Sequence, residues 1–566
     1  MNIPRNEHPN PQWERKDWLC LNGKWKFDFD FSRSAAARKL YEHTELLTKE
    51  IIVPFCPEST LSGIGYTDFM PAVVYSRTFE LSGEQIKKRI IIHFGAVDYK
   101  CTVYVNSAEV CTHSGGYTPF EADITDFVNR GENTVFVYAE DDSRNLFQCS
   151  GKQSMRMESY GSNYTRTTGI WQSVWLEFVP QKRILSAKYY TDPFSGAITV
   201  IGKTVGKGEI SVYTSFENQP TGEETSFSDG TFCIAVKLSR KELWEAGCGR
   251  LYDLRLSFGE DTVYSYFGLR SVSVEQKSFN INGKTCFQRL VLDQGFYPDG
   301  IYTAPDDAAL LNDIKISLGL GFNGARLHQK VFEPRFLYHC DRMGYMVWGE
   351  YPSRSIDYSA ENTLSVFMKE WSEAVERDFN HPSIVCWCPL NETWEYVERE
   401  HHNGLLSSVY RLTKGMDETR PCIDASGNYH ALTDIFDVHD YEQDAEKFEE
   451  YYSRIDEGIV LDLVARNKRG YQKYMGEALF MSEYGGIRWI NDDDSWGYGN
   501  APKSEKEFIE RYKGLTEVIL KNSYMIGFCY TQLYDIEQEK NGLYTYDRKA
   551  KFDPEIFKKI NTAIER

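Results

Sequence analysis

Long hydrophobic runs are missing from this chain. No stretch approaches the ~18 uninterrupted apolar residues that span a bilayer, so no membrane partner is expected. The opening Met1 to Asn10 holds no apolar signal region, and a cytoplasmic location is the expectation. Basic residues are also in short supply: 64 Lys and Arg stand against 83 Asp and Glu, for a formal charge of -19. Nucleic acid or an anionic surface would require a basic face to displace counterions, and neither is expected as a partner. The 13 cysteines are odd in number and scattered through strand-like segments, which reads as reduced, buried thiols and not a disulfide framework. Cys386 and Cys388 flank Trp387, but no second Cys/His pair lies at zinc-site spacing. No metal and no organic cofactor are expected. Low-complexity segments and sequence repeats are absent as well.

What the chain has in quantity is aromatic residues, 14% of the total, which fill cores and also stack on sugar rings. At 566 residues it is too long for one hydrophobic core, and three domains are the natural division. From Trp25 to Phe178, short apolar or alternating runs such as Arg89 to Phe94 and Thr134 to Ala139 are separated by Gly, Asn, Asp and Ser turns. That pattern predicts a β-sandwich over 1–180, of jelly-roll type. A second all-β block over 181–275 has the size of an immunoglobulin-like sandwich. Beyond it, strands and helices alternate: Leu290 to Leu292, a helix over Asp306 to Leu318, Gly324 to Leu327, a helix over Pro334 to Met343, then Tyr345 to Trp348. The rhythm predicts a (β/α)8 barrel over 276–566.

A barrel keeps its chemistry at the carboxyl ends of its strands. The run His381-Pro-Ser-Ile-Val-Cys-Trp-Cys-Pro-Leu-Asn391-Glu392 is a buried strand ending in an amide and an acid. Other strand ends carry Asp293 and Gln294, then Arg326, His328 and Lys330, then Glu350. Further on come His439 and Tyr441, Glu483, and Tyr530. Glu392 and Glu483 terminate the fourth and seventh strands. Two carboxyl groups about 5–5.5 Å apart, one protonated and one ionised, are what glycosidic bond hydrolysis with retention needs.

Three regions together resemble glycoside hydrolase family 2. They are Asn10-Pro-Gln-Trp-Glu-Arg-Lys-Asp-Trp18 with Leu21-Asn-Gly-Lys-Trp25, then Phe267-Gly-Leu-Arg270, and then the barrel motifs. The last group comprises Gly321-Phe-Asn-Gly-Ala-Arg326, Cys340-Asp-Arg-Met-Gly-Tyr-Met-Val-Trp348, the run to Asn391-Glu392, and Ser482-Glu-Tyr-Gly485. The resemblance covers nearly the whole chain and implies Glu392 as general acid/base, Glu483 as nucleophile, and Asn391 as the contact to the sugar 2-hydroxyl. Glu392 would need its proton held near neutral pH by low polarity or by the charge of Glu483. Glu483 would need donors such as the Tyr441 hydroxyl.

The resemblance weakens after the first two barrel strands, where Asp293-Gln294 and Arg326-Leu-His328-Gln-Lys330 replace the family's patterns, so the sugar itself is not fixed. The Asn-x-Lys element with which the family's β-glucuronidases hold a sugar carboxylate is not evident, since the region reads Glu537-Gln-Glu-Lys-Asn-Gly-Leu-Tyr544. For a uronide, Lys330, Arg335 or Arg488 would have to supply the cation. Trp496 could wall the pocket. The expected substrate is a glycoside with a terminal β-linked galacto-configured sugar, galactose or galacturonic acid. The alternatives are a β-glucuronide, an α-L-arabinopyranoside, and a non-catalytic carbohydrate-binding protein. Whether the chain forms a homo-oligomer is left open.

Overall fold

The computed structural model describes residues 3–564 apart from 276, 361, 394–402, 428–429, 454, 456–473, 475 and 490–494. The amino-terminal part is a sandwich of two antiparallel sheets with four and six strands. Its strands include Gly23–Phe29, Ala72–Leu81, Arg89–Phe94, Gly131–Glu140 and Val174–Val179. Their inward residues, among them Trp25, Phe27, Val73, Tyr75, Ile90, Ile92, Val135 and Val137, alternate along each strand and form one apolar core. A second β unit follows, built on two long strands, Ala197–Phe216 and Gln219–Lys237. They pair with each other, and the first also pairs with Arg183–Asp192 and Tyr252–Phe258.

The barrel's main ladder is parallel and has seven strands. It takes Gln288–Asp293, Gly324–Leu327, Met346–Glu350 and Ile384–Cys388 on one side. Met525–Thr531, Ala478–Gly485 and Ile435–Asp440 lie on the other. The two-residue strand Ala425–Ser426, paired with Leu390–Asn391, occupies the fifth place. This fifth strand is too short to show in the sequence, and no helix separates it from Ile435 among the described residues.

Alternation divides the strands cleanly. Leu290, Leu292, Met346, Trp348, Cys386, Cys388, Phe480 and Cys529 fill the barrel interior. Val291, Val347, Trp387, Leu479, Met481, Phe528 and Tyr530 face the helices. Trp348 and Phe480 meet across the interior with ring centroids 4.4 Å apart. The amino-terminal sandwich is tied to the barrel by Arg5 to Glu333 at 2.6 Å and Thr118 Oγ1 to Glu373 at 2.7 Å. Arg15 joins the two β units through Glu177 and Asp261.

Candidate active site

Arg326 is the hub of the barrel mouth. It faces inward from the second strand, is fully buried, and all three guanidinium nitrogens are engaged. Nε donates to Glu350 at 2.6 Å, Nη1 to Glu483 at 3.2 Å and to the Ser482 carbonyl at 2.7 Å, and Nη2 to Asn391 Oδ1 at 2.8 Å. Burial works against its charge, but Glu350 and Glu483 outweigh it and hold the guanidinium protonated. Glu350 in turn is drawn down to about 2, because Arg326 and His328 offset the cost of burying it.

Strict alternation would turn Glu483 toward the helices. The register between the sixth and seventh strands instead shifts from Val438/Met481 to His439/Glu483, so Ser482 is an extra residue. Ser482 donates to Asp437, and Glu483 follows it into the barrel. Its other oxygen accepts from the Tyr441 hydroxyl. Burial raises the pKa of Tyr441, and the charge of Glu483 raises it further, so the phenol stays a donor. Tyr441 stacks on Tyr498, with ring centroids 3.4 Å apart.

Glu392 sits just past the short strand segment Leu390–Asn391, with φ of 44°, a left-handed conformation that costs about 1–3 kcal/mol for a residue with a side chain. The bond from its N–H to the Ser426 carbonyl, 2.8 Å, holds it there. The side chain is partly open while Glu483 is buried. His439 Nδ1 lies 2.7 Å from Glu392 and 3.4 Å from Glu483, and Nε2 is 3.0 Å from Ser426 Oγ. Burial pushes the Glu392 carboxyl up, yet His439, with Arg354 and Lys152, outweighs it and holds the carboxyl below its ordinary range. The expected raising of Glu392 by Glu483 or low polarity thus meets an opposing pull from His439, whose own pKa Glu483 and Glu392 raise against the effect of burial.

One oxygen of Glu392, one of Glu483 and one nitrogen of His439 all lie within 4.8 Å of one another. Three such donors could also grip a cation, but both Glu483 oxygens already accept from Arg326 and Tyr441.

Residues 19–180 match the sugar binding domain of glycosyl hydrolases family 2, and residues 272–486 match that family's TIM barrel domain. The chain belongs to this family. It is 23% identical to a β-glucuronidase of Paenibacillus borealis over 94% of each protein. Human β-glucuronidase is 24% identical over 94% of this chain and 88% of its own length. A β-galactosidase of Thermoanaerobacter pseudethanolicus is 23% identical over 75% of the chain, which matches 57% of that protein. Among solved structures, a β-glucuronidase from an uncultured Clostridium sp. superimposes with a TM-score of 0.80 at 21% identity. That alignment covers 98% of this chain and 99% of the other.

Among the residues picked out in this family 2 chain by sequence, Asn391, Glu392, Arg326, His328, His439, Tyr441 and Glu483 come together. His328 Nδ1 is 3.0 Å from Glu350. Gln294 stands one layer away, donating to Tyr164 at 3.0 Å and to Gln532 at 2.7 Å. Trp496 reaches the rim and packs edge-on to Tyr498 at 5.1 Å. Five others do not join the pair. Asp293 points outward by alternation and accepts from Tyr534 and the Gly295 N–H. Tyr530 also points outward, packing on Tyr512 and Tyr484. Lys330 spends its ammonium on the carbonyls of Gly295 and Tyr302, at 2.5 and 2.7 Å. Arg335 pairs with Asp307 at 2.6 Å, at the start of a barrel helix. Arg488 donates to Ser495 at 2.7 Å within its own loop.

Sequence reading noted Glu350 as a strand-end acid without giving it a role, and missed Ser426, Tyr498, Lys152 and Arg354. Lys152 gave no local signal, because it belongs to a sandwich loop that only the tertiary fold brings to the barrel.

Proposed function

We propose that this family 2 chain is a retaining exo-β-glycosidase whose terminal sugar is a hexuronic acid, with β-glucuronide as its substrate. The observation that carries the reaction is the pair of strand-end carboxylates, with oxygens within 4.8 Å, in unlike surroundings. Glu483, buried between Arg326 and Tyr441, is suited to attack the anomeric carbon as the ionised nucleophile. Glu392, more open and beside His439, is suited to protonate the departing glycosidic oxygen.

In the first step the Glu483 oxygen bonds to C1 as the C1–oxygen bond of the leaving group breaks, and the leaving oxygen takes the proton of Glu392. In the second, Glu392 takes a proton from water, the hydroxide oxygen bonds to C1, and Glu483 is released. His439, 2.7 Å from Glu392, is placed to pass a proton across that bond and arm the acid. Asn391 has its carbonyl oxygen fixed by Arg326, which leaves its amide donor for the sugar 2-hydroxyl among the described residues.

The choice of uronide over the galacto-configured sugar expected from sequence is supported by two of the relatives and the solved structure above, which are β-glucuronidases. One relative is a β-galactosidase, and it is matched over a smaller share of its length. A panel of aryl β-glucuronide, β-galacturonide, β-galactoside and α-L-arabinopyranoside tests the sugar, and hydrolysis of the neutral glycosides alone would refute it. For the reaction, Glu392→Ala should keep its first step with good leaving groups, and added azide should restore the second. Equal loss on all leaving groups without rescue would remove Glu392 from the acid/base role.

A further inference from the structure

We propose that Lys152 and Arg354 form the subsite for the sugar carboxylate, a contact between the amino-terminal sandwich and the barrel that the catalytic domain cannot make by itself. This rests on the uronide reading above.

The loop that carries Lys152 is locked onto the barrel mouth. The Ser150 N–H donates to Ser355 Oγ at 2.8 Å and the Gly151 N–H to the Pro352 carbonyl at 3.2 Å. Gly151 has φ of 57°, and a Cβ there would lie 2.6 Å from the Gln329 carbonyl oxygen and 2.8 Å from Pro352 Cβ, so only glycine permits this approach. Gln329 donates from its N–H to Glu350 Oε2 at 3.2 Å, and its side-chain oxygen receives the Arg354 N–H at 2.9 Å. The backbone at Gly151, next to Lys152, thus abuts Gln329, which bonds Glu350 of the Arg326–Glu350 pair and also fixes the Arg354 backbone.

Neither cation has found an anion. Lys152 is 7% exposed, and among the described residues its ammonium makes no hydrogen bond and no ion pair; the Arg354 side chain makes none either. Other buried cations of the barrel are satisfied. Arg326 has two glutamates, Arg548 has Asp313 at 3.0 Å, Lys551 has Asp535 at 2.6 Å, and Lys330 has two carbonyls. A lysine only 7% exposed whose ammonium has no counter-ion among the described residues carries a desolvation cost, and a ligand that brings a carboxylate offsets it.

The surrounding charges agree. Burial and the neighbouring Arg354 bring Lys152 down to about 8, against the pull of Glu539, Glu483 and Glu392, so it is charged at neutral pH yet short of a partner. The acid nearest in sequence to the family's carboxylate element, Glu539, is already committed to the Tyr164 hydroxyl and to Asn541 Nδ2, the latter at 2.9 Å. A carboxylate on C5 of a hexopyranose meets one ammonium and one planar guanidinium fork, whereas the hydroxymethyl group of a neutral hexose leaves both charges unmatched.

The test compares intact wild type with Lys152→Met, Arg354→Gln and Lys152→Arg on p-nitrophenyl β-D-glucuronide, β-D-galacturonide and β-D-glucoside. The ratio of uronide to glucoside kcat/KM should fall about 10- to 100-fold in the first two variants, as loss of a charge-assisted hydrogen bond predicts. Most of that fall should appear in KM, and Lys152→Arg should recover part of it. If wild type cleaves uronides and the ratio stays within twofold in both variants, the subsite is refuted while the proposed function stands. If wild type cleaves only the glucoside, the sugar assignment fails first. Should Lys152→Met not fold, calorimetric titration of wild type and Arg354→Gln with glucuronate and with glucose decides: equal affinity for both sugars in wild type, or an unaltered glucuronate preference in the variant, contradicts the proposal.

Discussion

Two sets of cations face the same pair of glutamates, and they differ in what they already hold. Arg326 is saturated, its nitrogens divided among Glu350, Glu483, Asn391 and a main-chain carbonyl. Lys152 and Arg354 hold nothing among the described residues. A saturated buried cation is architecture: it fixes acids in place and sets their charge. An unsaturated one carries an unbalanced desolvation cost, which evolution tolerates where a ligand will offset it. The difference also follows the domains. Arg326 rises from a barrel strand, while Lys152 arrives on a sandwich loop.

The largest expected effect that would break this contrast concerns stability. Arg326→Met leaves Glu350 and Glu483 buried without their counter-charge and should cost about 3–5 kcal/mol, together with nearly all activity. Lys152→Met removes an unpaired charge and should leave stability unchanged or raise it. Urea denaturation of both checks the pair of outcomes, and comparable losses would mean that Lys152 is as fully paired as Arg326. Next in size, Tyr441→Phe removes one of the donors to Glu483 and should lower kcat/KM about 100-fold, as loss of a preorganised donor does. A change below threefold would show that Arg326 alone suffices.

The smallest effect is a pH dependence. Lys152, with a pKa of about 8 set by burial and by Arg354 against Glu539, Glu483 and Glu392, is charged below that value. A bound carboxylate favours the charged form, so uronide binding takes up protons above pH 8, and kcat/KM for the uronide should fall as pH rises through about 8. The neutral glucoside lacks that limb. The same group acts on stability with the opposite sign. Its pKa is lower in the folded chain than in the unfolded one, so the unfolded chain binds more protons between about 8 and the ordinary lysine value, and this term favours folding as pH rises. Parallel pH profiles for both substrates would dissociate Lys152 from the uronide.

Much of this arrangement was legible in the sequence. The strand run 89–94 and the helix Pro334–Met343 stand where apolar spacing and the Pro and Gly boundaries put them. The Asn391-Glu392 and Glu483 positions were visible as polar tips of buried strands. What could not be read was the phase of each strand. Asp293 and Tyr530 sit at strand ends as polar or aromatic residues should in a site, but alternation turns them toward the helices. Glu483 would have been turned away too, had the bulge at Ser482 not reversed it. A bulge changes direction without altering composition, so periodicity alone does not reveal it. Lys330 and Arg335 show the companion difficulty: a cation in sequence carries no mark of the carbonyls or acid that will occupy it. Lys152 shows the reverse, since only the docking of two domains exposes its want of a partner.

Covalent trapping tests the central claim, that two unlike glutamates act by double displacement, most directly. Incubation with a 2-deoxy-2-fluoro-β-glucuronosyl fluoride, followed by peptide mass spectrometry of the inactivated protein, should place one glycosyl adduct on Glu483. An adduct on Glu392, or steady hydrolysis of the reagent with inversion at C1 and no adduct, would contradict it.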